Sequence, residues 1–124
     1  MDTKIKSLRS FIGSKEYKTS QSFYTQWGFQ AIEIGSKMTY FMITESLGFY
    51  LQDFYIKDWV DNSMLFLEVD DLNSYQQELL DIKLKQGFPS VRISDIKEED
   101  WGRVMFLHDP SGVLWQIGEF KKSS

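Results

Sequence analysis

Residues 64–88 read MLFLEVDDLNSYQQELLDIKLKQGF, and the unit they describe occurs twice in the chain. Met64 to Val69 alternates, with Leu65, Leu67 and Val69 on one side and Met64, Phe66 and Glu68 on the other, the period of a half-buried strand. Asp70-Asp71 then turns the chain, and Leu72, Tyr75, Leu79 and Ile82 recur at helical spacing until Gly87 ends the run. Asn73, with Gln76 three residues later, suits a capping box for that helix.

The same order of strand, acidic turn, helix and Gly-Phe stands near the start. Ile5 to Ile12 alternates loosely, with Leu8, Ser10 and Ile12 opposed to Arg9, Phe11 and Gly13. Glu16 occupies the place of Asp71, Thr19 and Ser20 can cap a helix carrying Phe23, Tyr24 and Trp27 on one face, and Gly28-Phe29 matches Gly87-Phe88. From there to Tyr55, aromatic and β-branched residues interrupted by Gly35-Ser36 and Glu45 to Gly48 predict three antiparallel strands. Val91 to Ser94, Trp101 to His108 and Val113 to Phe120 predict three more after the second helix. The last two are joined by Asp109-Pro110-Ser111-Gly112, in which Asp accepts local N–H groups and Gly tolerates positive φ. The polar stretch Phe54 to Asn62 separates the halves, with Trp59 and Val60 as its packing residues. The expectation is one α+β domain over residues 1–124, with modules at about 5–55 and 63–120 and a connector at 54–62.

Composition restricts what such a domain can do. The chain has 124 residues, 14 Lys and Arg against 18 Asp and Glu, and a net charge of −4, so nucleic acid is not an expected partner. Hydrophobic residues at 42% can fill a core, and no stretch approaches the roughly 20 apolar residues of a membrane span or the apolar run of a signal peptide. A cytoplasmic location is expected. Without cysteine, disulfides, thiolate metal sites and a Cys nucleophile are excluded. The single histidine, His108, has no second His beside it in the sequence, and neither a Gly-x-Ser-x-Gly turn nor a phosphate-cradling glycine motif is present.

Ser22-Phe23-Tyr24 with Gly28-Phe29, Val69-Asp70-Asp71-Leu72, and Trp101-Gly102-Arg103 followed by Asp109-Pro110-Ser111-Gly112 together resemble the glyoxalase, bleomycin-resistance protein and extradiol dioxygenase (vicinal oxygen chelate) superfamily. The resemblance runs from about Leu8 to Phe120, and Glu98 to Arg103 with the short acidic chain resembles the bleomycin-resistance branch. It implies paired βαβββ modules forming curled mixed sheets around a cleft, helices on the outer faces, usually completed in a homodimer. Metal-dependent members carry His on the first strand of each module and Glu on the last. Carried onto this chain, those positions fall on Arg9, Met64 and Gln116, with Gln52 as the counterpart of Gln116 if Gly48 matches Gly112. A guanidinium, a thioether and two amides suit a hard divalent cation poorly. No metal and no cofactor are expected.

A cleft without a metal can still bind. Arg9, Phe11, Met64 and Phe66 are expected on the faces that the helices leave open, with Gln52, Gln116 and Glu68 beside them. Glu68 calls for Arg9 or a ligand cation as partner if it is buried there. Trp27 and Trp115 read as core, whereas Trp59 in the connector and Trp101 at a strand start are placed to line the cleft mouth, with Arg103 available to a ligand carboxylate or to a neighbouring acid. The function this predicts is metal-independent sequestration of a small aromatic compound, cationic if it is Glu68's partner, in a dimer cleft. The contrasting readings are a glyoxalase-like metal-dependent isomerase or lyase with displaced ligands such as Glu68 and Glu45, and an interaction or sensory module.

Overall fold

The computed structural model describes residues 3–122. The first module runs β1 (Ser10–Ile12), α1 (Tyr17–Trp27), β2 (Gln30–Glu33), β3 (Met38–Met42) and β4 (Gly48–Gln52). A short α2 (Lys57–Asp61) occupies the connector. The second module runs β5 (Met64–Glu68), α3 (Leu72–Asp81), α4 (Leu84–Gly87), β6 (Arg92–Ile93), β7 (Lys97–Glu99), β8 (Gly102–His108) and β9 (Leu114–Phe120). The sheets have the orders β1-β4-β3-β2 and β5-β9-β8-β6, with β7 also paired to β8. In both, the module's first and last strands are parallel neighbours and the remaining pairs are antiparallel. The first predicted βαβββ unit is present as a mixed sheet of four strands, and the second is present with two additions, the short helix α4 and the unpredicted strand β7, which makes its sheet five-stranded.

Several local expectations shift. The first strand is ordered into a ladder only from Ser10, because β4 supplies partners at Phe49, Tyr50 and Leu51 and begins at Gly48. Helix α1 starts at Tyr17 after Glu16, ahead of the expected caps, and places Ser20 within its first turn, where its N–H bonds to the Glu16 carbonyl at 3.0 Å. In α3 the cap is Asp71, whose carboxylate accepts from the Ser74 N–H, since Leu72 must already be helical to reach the core. Lys83 adopts a left-handed conformation (φ 55) that breaks the long predicted helix into α3 and α4 and turns Leu84 inward. Strand β7 lacks any apolar alternation, because all three of its residues are exposed along the edge of β8.

One core serves both modules. Tyr24 of α1 contacts Phe41, Phe49 and Trp115, Trp27 contacts Trp115, and Phe23 packs edge-on against both helix rings, so this helix is packed against rings from both sheets. Its key polar element is buried. Tyr24 Oη donates to Asp109 Oδ2 at 2.6 Å and accepts from Trp115 Nε1 at 2.9 Å, while Asp109 Oδ1 accepts the N–H groups of Ser111, Gly112 and Val113, each at 2.9 Å. Burial raises the Asp109 carboxyl above its ordinary value, and those bonds oppose the rise. No helix among the described residues is long and apolar enough to cross a membrane.

Candidate functional site

Strand alternation assigns two faces to each sheet. Ile12, Phe49, Leu51 and Phe41 point to the core, so Phe11, Tyr50, Gln52, Tyr40 and Met38 share the opposite face of the first sheet. In the second sheet Trp115, Ile117, Met105 and Leu107 point inward, leaving Met64, Phe66, Glu68, Gln116, Gly118, Phe120, Phe106 and His108 together. Because the covered faces already fill one core, the open faces meet solvent: Phe11 is 45% exposed, Met64 59%, Phe66 45% and Phe120 47%. Apolar surface of this kind marks a place for a ligand or another chain.

On the first open face, the Arg9 guanidinium lies over the Tyr40 ring, 4.1 Å from its centroid, and Nη1 donates to Tyr50 Oη at 2.8 Å. Tyr50 in turn stacks on Phe11, with ring centroids 4.7 Å apart. On the second, Phe66, Trp101 and Phe120 form a three-ring cluster with centroid separations of 5.0–5.7 Å. The cluster depends on Gly118, where any Cβ would overlap Cζ of Phe66 and stand 3.2 Å from Cη2 of Trp101. A recess of about 570 Å³ lined by Glu16, Lys18, Glu33 and Asp53 is polar and adjoins α1, away from these rings.

The residues expected to bind a ligand are thus divided. Arg9, Phe11 and Gln52 lie on the first open face, and Met64, Phe66, Glu68, Gln116 and Trp101 on the second. Trp59 does not join them. It is half-buried against the core beside Phe54, fitted to the space left by Gly13. Arg103 projects from the helix side, where Nε lies 3.4 Å from Glu119 Oε2 and Nη1 3.5 Å from Asn73 Oδ1, and Glu119 also receives the Leu72 N–H at the start of α3. Glu68 is exposed, with no ion-pair partner among the described residues, so within one chain its charge needs neither Arg9 nor a ligand. Tyr40, Tyr50, Gly118 and Phe120 complete the faces and were not singled out by motif. The period-two pattern of β3, β4 and β9 was the signal that could have found them.

The register also corrects one correspondence. Arg9 and Met64 each stand seven residues before their helix caps, Glu16 and Asp71. Phe66 pairs with Gln116 and Phe11 pairs with Tyr50, so the counterpart of Gln116 is Tyr50; Gln52 is displaced by one step along the same face. The donor set is then a guanidinium bonded to a phenol, and a Met64 Sδ that accepts from Gln116 Nε2 at 2.9 Å. It does not fit a hard divalent cation, and among the described residues no group of three or more His, Asp or Glu side chains could hold one. Glu45 lies between β3 and β4 and Glu68 on the other sheet.

His108 borders the second open face opposite Arg92, with its pKa lowered by partial burial and then by the Arg92 charge. A depressed histidine contributes stability above its unfolded value of about 6.5 that is lost as pH falls toward the folded value. Urea unfolding at pH 7 and pH 5 is expected to show a loss on acidification that is smaller in His108→Gln; an equal loss in both proteins would remove His108 from this role.

Searched against known proteins, the chain matches no family model and no curated protein. Solved structures do share its fold. A bleomycin-binding protein from Streptomyces verticillus, determined with copper(II)-bleomycin, superimposes with a TM-score of 0.76 over 96% of this chain and 99% of its own, at 13% identity. TnmS3, an antibiotic binding protein from Streptomyces sp. CB03234, gives 0.69 over 98% and 99% at 18% identity. A lactoylglutathione lyase from Agrobacterium tumefaciens gives 0.67 over 94% and 96% at 9% identity. The chain shares its fold with these structures, a bleomycin-binding protein among them, and that fold carries binders and enzymes alike.

Proposed function

We propose that this protein sequesters a small planar aromatic compound, without a metal, in clefts formed when two copies bring their open faces together. The carrying observation is that the positions of a metal-ligand set are taken up in two bonded pairs, Arg9 with Tyr50 on the first open face and Met64 with Gln116 on the second, beside the rings of Phe11 and Tyr40 on the one and of Phe66 and Trp101 on the other. Rings of this kind bind planar molecules by stacking and area burial, which suffices for sequestration. A second copy is the natural cover for the remaining apolar surface, which includes Leu8, 98% exposed on the segment before β1.

Calorimetric titration of chelator-treated protein with metal-free bleomycin and a planar quinone, with tryptophan fluorescence in parallel, tests this reading. Saturable binding to a dimer is expected, unchanged by added chelator, with the fluorescence response lost in Trp101→Ala. A protein that binds neither compound and retains a tightly held divalent ion through purification would overturn it.

A further inference from the structure

The open faces differ in charge from the chain that carries them. Beside their rings stand three cations, Arg9, Arg92 and Lys97, and two carboxylates, Glu68 and Glu99, whereas the whole chain has a net charge of −4. Among the described residues, the ion pairs are Lys57 with Asp61 and Arg103 with Glu119, so none of these three cations has a carboxylate at ion-pairing distance. Each is instead set beside aromatic surface or in a recess. Arg9 rests on Tyr40 and is oriented by Tyr50, Lys97 Nζ lies 5.4 Å from the centroid of Phe106, and Arg92 joins Phe106, His108 and Ser94 around a shallow recess of about 280 Å³.

Arg9 is the informative one. Of its five guanidinium donors, one engages Tyr50, and the stack on Tyr40 fixes the plane in which the others project. A guanidinium held in this way is prepared for an acidic oxygen pair, and the Phe11 and Tyr50 rings beside it offer the surface for the attached aromatic body. Glu68 has no comparable anchor, being exposed and bonded to nothing through its side chain in the described structure.

We infer that the preferred ligand is an aromatic anion, a planar ring system bearing a carboxylate or similar acidic group that Arg9 receives. This rests on the sequestration reading and sharpens it, replacing the cationic ligand that Glu68 suggested from sequence.

Three isosteric probes separate the two: 2-naphthoate, neutral 2-naphthamide and 2-naphthylmethylammonium, titrated at pH 7 in low and high salt. Naphthoate is expected to bind about ten- to a hundredfold more tightly than the ammonium probe, with the preference reduced by salt. Arg9→Gln is expected to abolish the preference for naphthoate over the ammonium probe, with its melting temperature within a few degrees of wild type reporting that the variant is folded, and Arg9→Lys to retain part of the preference. Naphthamide binding with equal or greater affinity for the ammonium probe would overturn the anionic assignment and leave sequestration standing. A preference unaltered in Arg9→Gln would overturn the role of Arg9, and failure of all three probes to bind would overturn both readings.

Discussion

Tyr24→Phe is expected to lower the unfolding free energy by about 3 kcal/mol or more, as two buried polar groups lose their partner at once. The phenol is fully buried and stands between Asp109 Oδ2 and Trp115 Nε1, so phenylalanine leaves a carboxylate oxygen and an indole N–H without that partner in a space that the ring itself still fills. For a chain of this length the melting temperature should fall by roughly 10 °C. The same residue predicts an alkaline signature. Burial, followed by the Asp109 charge, raises the Tyr24 pKa well above 10, so its contribution is complete below the unfolded value of about 10 and is lost as pH rises toward the folded one. Urea unfolding at pH 8 and pH 11 should show a steeper loss in the wild type than in Tyr24→Phe. A variant within about 1 kcal/mol of wild type at pH 8 would mean that water or relaxation replaces the bonds, and that the network is not what couples the modules.

Gly118→Val is expected to do the reverse, sparing stability and removing binding. Its side chain would occupy the volume of the Phe66 ring tip, and Phe66 is 45% exposed, so the ring can swing outward at modest energetic cost. Swinging out breaks the contacts of Phe66 with Trp101 and Phe120 and removes the flat wall that a planar ligand would stack on. Affinity for 2-naphthamide should fall at least tenfold, with a melting temperature within a few degrees of wild type. Unchanged affinity in the folded variant would exclude the Phe66, Trp101 and Phe120 cluster from the ligand site. Together the two substitutions separate the buried polar network that joins the modules from the exposed rings to which binding is attributed.

The amino-acid sequence by itself determined the repeated βαβββ unit, because its signals are local. The alternation of Met64 to Glu68, the helical spacing of Leu72, Tyr75 and Leu79, and the Asp109 to Gly112 turn each act within a few residues. It also determined the poverty of metal donors, since a chain without cysteine and with one histidine can assemble few such sites. Faces and partners were decided only by the tertiary structure. Arg9 meets Tyr50 across 41 residues, and the strand register makes that tyrosine, rather than Gln52, the counterpart of Gln116. Arg103 belongs to the helix side because β8 pairs it with Glu119, and Trp59 fills the space beside Gly13 because α2 returns the chain to β1. A shift of one residue in register would have exchanged these faces, and the register is set by the sum of core burial over both sheets, a quantity that no short window of sequence contains.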